Sequence, residues 1–437
     1  KDASLLGYTV SDDSGRFFPQ EFTFARGSNL AATRIGKTGL IEKGRENLLV
    51  QSNQFDTTWA TSNTSVTSGQ SGYDGSSDAW LLTKSGASGR LYQNLSASGV
   101  LTYSVYMKAN ASTWGLIQVD GSPNDAYVYV DLSNGVFGSV SSINIAKSLE
   151  DVGNGWYRVS LSVNDTATRV RIYPAETNSA AATSGSIYIQ DAQLEQGLAA
   201  SPYIPTTTTT AQAGVLENTP RLNYTTGVAN PYLLLEPSRT NLVEYSEYLE
   251  EAPQIADSQI LNTTDTTLEG TSNARVLAYD GGVNQHYMAF VPSVTNGETY
   301  TFSVFLKKKE LRYAALVFLN GYAGRFFDLE TGTILGATGG TLVDSKIEDY
   351  GNGWYRCSIA DVATSTTKFS GIYLSDDGTT LGPFVPTGND GVYIYGYQVE
   401  AGSYPTSYIP TYSVSATRAA ETSLVTDIDS LFGSNNT

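Results

Sequence analysis

The hexapeptide Gly-Asn-Gly-Trp-Tyr-Arg occurs twice, at 153–158 and at 351–356, and this repetition restricts the fold more than any other feature. A string of that length recurring at a fixed spacing means that one structural unit is present in two copies. Collinear matches extend the repeat on both sides. Asn47-Leu48 matches Asn241-Leu242, Tyr103-Ser104-Val105 matches Phe302-Ser303-Val304, and Asp131-Leu132 matches Asp328-Leu329. Further on, Gln193-Leu194-Glu195 matches Gln398-Val399-Glu400, and Tyr203-Ile204-Pro205-Thr206 matches Tyr408-Ile409-Pro410-Thr411. The spacing drifts from 194 at Asn47/Asn241 to 205 at Gln193/Gln398, so the second copy carries loop insertions. The organisation read from this is an extended N-terminal segment (1–45), a first module (46–206), a connector (207–239), a second module (240–411) and a C-terminal tail (412–437).

Inside each copy the apolar period is two. Leu101, Tyr103, Val105 and Met107 alternate with Thr102, Ser104, Tyr106 and Lys108, and Tyr300, Phe302, Val304 and Leu306 alternate with Thr301, Ser303, Phe305 and Lys307. That is the pattern of a strand with one buried face. Asp131-Leu132-Ser133-Asn134-Gly135 and Asp328-Leu329-Glu330-Thr331-Gly332 read as hairpin turns. With 29 Tyr and 42 Gly, and only 16% charged residues, the chain is expected to be all-β, each copy a sandwich or jelly roll.

A formal net charge of −17 argues against nucleic acid as a partner, because phosphate would be repelled. No apolar run of membrane-spanning length occurs, and Lys1-Asp2-Ala3-Ser4 lacks the order of a secretory leader, so neither membrane insertion nor a leader is expected. One cysteine, Cys357, excludes an internal disulfide and matches Val159, which predicts a small core hydrophobe. His286 is the only histidine. Aligning Tyr92 with Tyr287 puts Leu91 at its place in the first copy, which favours packing over catalysis. Glu150-Asp151 and Glu348-Asp349, the paired carboxylates before the repeated hexapeptide, are neighbours on a strand and point to opposite faces. A turn role is expected for them, and the chain is expected not to be an enzyme.

Each copy opens on Asn-Leu and closes on Ile187-Tyr188-Ile189 or Val392-Tyr393-Ile394 leading into Gln-x-Glu. In this it resembles jelly-roll carbohydrate-binding modules and related galactose-binding-like domains. The framing stretches include Phe22-Thr23-Phe24-Ala25-Arg26-Gly27-Ser28, Gly39-Leu40-Ile41-Glu42, Asn218-Thr219-Pro220-Arg221-Leu222-Asn223-Tyr224, Leu235-Glu236-Pro237-Ser238-Arg239-Thr240-Asn241-Leu242 and Ala416-Thr417-Arg418. They resemble tail-fibre and other virion surface proteins of tailed bacteriophages, in which the second of these stretches leads directly to the third; here a whole module lies between Glu42 and Asn218.

These resemblances imply two tandem galactose-binding-like jelly rolls on a virion surface, assembled as a homo-oligomer with other virion proteins. Host-surface glycans are the implied ligands. A purely structural decoration or fibre protein, and the non-catalytic part of a polysaccharide depolymerase, stand as alternatives. Sugar sites in such modules use aromatic rings laid against pyranose C–H faces, with polar groups fixing the hydroxyls. Strand parity places Tyr106, Tyr127 and Tyr129, and Phe305 and Phe326, on polar faces; Trp80 and Trp114 are further candidates with no aligned aromatic in the second copy. Trp156 and Trp354 recur in both copies and read as structural. Related jelly rolls often hold a structural Ca2+, and Asp74, Asp78 and Asp191 are the candidate ligands in the first copy, with Glu269 and Gly396 at the matching places in the second.

Overall fold

The computed structural model describes residues 9–11, 17–19, 22–27, 30–121, 124–180, 183–217, 219–225, 228, 230–282, 284–318, 322–385 and 388–425. Regular structure among them is strand throughout, apart from one 3-10 turn at Leu249–Glu251. The chain divides into two compact units. One is Arg45–Ala213 with Tyr412–Val414; the other is Gly214–Thr411 with the flanking chain up to Gly44 and from Ser415.

In the first module two long strands, Arg90–Ala109 and Trp156–Ala175, run through both layers of a sandwich. Their outer halves join Ala60–Ser62, Trp114–Asp120, Ala126–Asp131 and Val136–Val140. Their other halves join Gly185–Gln196, Ala79–Lys84, Thr64–Gln70 and Ala146–Gly153. Between the layers lies one core including Leu101, Tyr103, Val105, Met107, Ile117, Val128, Leu161 and Ile172. In the second module the long strands are interrupted, giving two separate six-stranded sheets with the same neighbour order. One runs Gln254–Ala256, Tyr287–Phe290, Ser370–Ser375, Tyr313–Phe318, Ala323–Asp328, Thr333–Gly339, and the core between the two sheets includes Phe302, Val304, Leu316 and the buried Cys357. Both copies are therefore the antiparallel sandwiches that the period of two predicts.

The repeated motifs are the polar joints of this sandwich. Gly153, Asn154 and Gly155 take φ of 89°, 55° and 77°, and Gly351, Asn352 and Gly353 take 81°, 52° and 77°. Three successive left-handed residues are affordable only to Gly and Asn, which explains the hexapeptide's first half. Asp151 and Asp349 each accept the first glycine's N–H, at 2.8 and 2.7 Å, in the turn role expected of them. The buried Asn47 amide donates to the Ala192 and Ile204 carbonyls and accepts from the Leu49 and Leu194 N–H groups. Asn241 makes the same four bonds with Tyr397, Ile409, Val243 and Val399. Gln193 and Gln398 accept the N–H of Ile204 and Ile409, each at 2.7 Å, and donate to Glu195 and Glu400. Chain start and chain end of each sandwich are thus laced together through buried side chains that pair with backbone groups of distant strands.

The flanks gather in the same unit as the second module. Phe22–Ala25 pairs with Thr422–Val425, and Arg239–Asn241 with Ala416–Arg418. Arg221, 1% exposed, donates to Glu421, Glu236, Ser407 and the Thr33 carbonyl, and Arg418 donates to Ser407 and the Pro237 carbonyl. Burial pushes the Glu236 carboxyl up, but Arg418 and Arg221 outweigh it and hold the group below the usual carboxylate range. Arg221 and Arg418 of the framing motifs are therefore interior ion-pair partners.

Candidate functional site

Parity assigned the aromatic candidates to the correct side of their strands, but not their exposure. Tyr106 does face away from the main core, yet it is 8% exposed because Tyr73 stacks on it with ring centres 3.8 Å apart, beside Trp156. Phe305 is 1% exposed in the matching layer with Trp354, Tyr395 and Tyr408. Trp80 belongs to the sandwich core, edge-on to Phe55, with its indole N–H on the Asn53 carbonyl at 2.9 Å. Phe326 is 1% exposed in a cluster that carries Leu335 and Leu381 on its flank. None of these four rings is presented to a ligand. The equivalent placement of Trp156 and Trp354 beneath these layers fits a structural role.

Asp74, Asp78 and Asp191 are neighbours in space but do not make a calcium site. Gln190 accepts the Tyr73 N–H at 3.1 Å, which turns its amide nitrogen onto Asp78 at 2.8 Å and Asp74 at 3.3 Å. A donor stands where the carboxylates would need a cation. Asp191 instead takes the Tyr73 hydroxyl at 2.9 Å. Burial, with Asp78 and Asp74 nearby, pushes its carboxyl up to about 7, against the pull of the Tyr73 and Tyr203 hydroxyls. Among the described residues no group of three or more His, Cys, Asp or Glu side chains is arranged for a metal ion. In the second module Glu269 meets the Lys43 ammonium, together with Glu247.

The alignment of His286 with Leu91 is off by two residues. Leu91 pairs with Ile172 and Met288 with Ile372, so the core residue matching Leu91 is Met288, and the residue matching Tyr92 is Ala289. His286 lies just before the strand, fully buried, with Nδ1 and Nε2 each 2.9 Å from the Asp257 and Phe384 carbonyl oxygens. It ties a loop down.

Tyr127, Tyr129 and Trp114 do come together, on the outward face of the first module's sheet. Tyr127 and Tyr129 are half-buried, with ring centres 5.8 Å apart and planes at 82°. One row there crosses four strands, Tyr127–Gln118–Arg171–Tyr92, and two cross three, Tyr129–Leu116–Tyr173 and Asp120–Arg169–Asn94. Sequence reading missed Tyr173, Gln118, Asp120 and Arg171, although the alternation Arg169-Val170-Arg171-Ile172-Tyr173 marks a polar face. Gln118 donates to Asp120 at 3.0 Å and to Asp125 at 2.8 Å, while Arg171 donates to the Tyr173 hydroxyl at 3.1 Å and to Asp120. The result is an aromatic wall beside a fixed set of donors and carboxylates on a rigid sheet.

The second module's equivalent face is closed. By register Phe326 stands for Tyr129, Gly324 for Tyr127, Val317 for Gln118, Gly371 for Arg171 and Tyr373 for Tyr173. Ala315, Val317, Phe326, Phe369 and Tyr373 are buried, with Leu335 and Leu381 packed against them. Leu381 belongs to the loop between Ser370–Ser375 and Gly391–Ala401, the loop that His286 holds at Phe384. A separate cleft of about 210 Å3 opens in the same unit beside Arg34, Tyr232, Glu348, Tyr350 and Arg356.

No family model matches the sequence, and no curated protein matches it. Among solved structures, similarity is found to the N-terminal CBM22-1–CBM22-2 tandem domain of Xyn10C from Paenibacillus barcinonensis, at 10% identity and a TM-score of 0.28, covering 86% of this chain and all (100%) of that one. The ANXUR1 extracellular domain from Arabidopsis thaliana is similar at 8% identity and a TM-score of 0.21, covering 83% of this chain and 97% of that one. Superpositions this loose carry no argument about what the chain binds.

Proposed function

We propose that this chain is a non-enzymatic saccharide-binding protein whose site is the outward sheet face of the first module. The observation that carries the reading is the pairing of half-buried Tyr127 and Tyr129 with the hydrogen-bonded set Gln118, Asp120, Asp125 and Arg171. Tyrosine rings offer apolar faces to sugar C–H groups, and a polar set already held in place can exchange bonds with hydroxyls at little entropic cost. A virion-surface adhesin, acting as a homo-oligomer or array with other virion proteins against host glycans, is the setting that the framing motifs support. The test is retention of the full chain on an immobilised-glycan array, wild type against Tyr129→Ala. Retention on at least one saccharide is expected, weakened roughly tenfold by the substitution, with an unchanged melting temperature. Wild-type protein that folds and is retained on no saccharide overturns the reading.

A further inference from the structure

The open face of the first module holds more positive charge than its own residues neutralise. Lys84, at the end of Ala79–Lys84, is 3% exposed; its ammonium stands 5.8 Å from the Tyr173 ring centre and has no hydrogen-bond acceptor among the described residues. Burial lowers its pKa, and no carboxylate works the other way. Arg90 follows in the next strand, with its Nε buried and unpartnered and one terminal nitrogen on the Ser88 carbonyl at 3.2 Å. Arg171 also has a buried, unpartnered Nε, although its other nitrogens reach Tyr173 and Asp120. With Arg169, which lies 3.5 Å from Asp120, four cations share the patch with Asp120 and Asp125. The chain as a whole has 43 acidic against 26 basic residues, so this local reversal is not background.

A desolvated cation without a counter-charge is costly, and several N–H groups left unbonded around one tyrosine add to that cost. The sandwich itself does not require them. Register places Tyr279 at the position of Lys84, Tyr287 at that of Arg90, Phe369 at that of Arg169 and Gly371 at that of Arg171. All four cations are absent where the face is closed and present where it is open.

We propose that the ligand of this face is an acidic saccharide, its carboxylate or sulfate group taken by Lys84, Arg90 and Arg171 and its neighbouring ring lying against Tyr127 and Tyr129. The proposal rests on the saccharide-binding reading and adds the ligand class. A guanidinium fork and an ammonium converging on one tyrosine suit an oxyanion. The row from Tyr127 to Tyr92 crosses four strands, about 14 Å at the usual strand spacing, so the ligand is an oligosaccharide.

The experiment titrates the full chain calorimetrically with oligosaccharides of a polyuronate, of a sulfated galactan and of neutral xylan and galactan. At low salt an acidic arm is expected to bind at least ~10-fold more tightly than the neutral ones, weakening as ionic strength rises. Whichever acidic arm binds identifies the oxyanion. Lys84→Met and Arg90→Gln are each expected to weaken that binding ~10-fold while leaving neutral binding unchanged. Should Lys84→Met fail to fold, Arg90→Gln and the salt dependence carry the test. Neutral oligosaccharides bound as tightly as acidic ones, or acidic binding untouched by the folded variants, overturns the acidic class and leaves saccharide binding standing. Absence of binding in every arm overturns both.

Discussion

Asp191 stands at φ 52° in the bulge where Gly185–Gln196 crosses Arg90–Ala109, and the matching bulge of the second module has Gly396 at φ 65°. The extra residue of such a bulge needs left-handed backbone, which Asp tolerates and Gly prefers. The side chain then lands in a buried, acidic place, and its carboxyl is raised to about 7 from an ordinary 3.8. A raised acid pKa means that the folded state holds the proton more firmly than the unfolded one. Its stabilisation is complete below the unfolded value and is lost as pH climbs through the folded value. Asp191→Asn keeps the backbone preference and removes the titration. Calorimetric melting from pH 4 to pH 8 is expected to show the wild type losing stability relative to Asp191→Asn, by on the order of 2 kcal/mol, mostly before pH 7. Parallel curves for the two proteins would refute the assignment.

At the level of elements, the best-matched motifs in the sequence prove to be joints between distant strands. Asn47 and Asn241 each satisfy four backbone groups inside their sandwich, so Asn47→Ala and Asn241→Ala are each expected to cost about 2 to 4 kcal/mol. Denaturant melts should show the first change lowering one unit's transition and the second the other's; a single transition lowered equally by both would contradict the division into units. Fold was legible because the period of two, the Gly-Asn-Gly turns and the Asp131 and Asp328 hairpins are local. Exposure was not, because it depends on which remote segment roofs a sheet. Tyr73 covers Tyr106, and Leu381 flanks the layer that holds Phe326, and neither is near its partner in sequence. The slip at His286 has another origin: Tyr92 and Tyr287 stand two register positions apart, and a shift of two keeps the faces of a strand, so apolar alternation gives no sign of it.

Across the whole molecule, duplication has produced two sandwiches with one plan and different surfaces. Drift in the repeat spacing was legible as insertion, and part of it falls in the loop that brings Leu381 and Phe384 over the second module's face. Leu381 packs half-buried on the second module's face, whereas the corresponding face of the first module keeps its arginines, Tyr92, Tyr127 and Tyr129 half-buried. If binding belongs to the open face, a chain is univalent despite being double. Strength of attachment then scales with the number of chains gathered on a support, not with the number of modules in each. Free chains, held below the concentration at which they associate, should therefore act as blockers: mixed with glycan-coated beads they are expected to compete off a bead-bound multimer, without clumping the beads. Clumping by chains shown to be monomeric would reveal a second site.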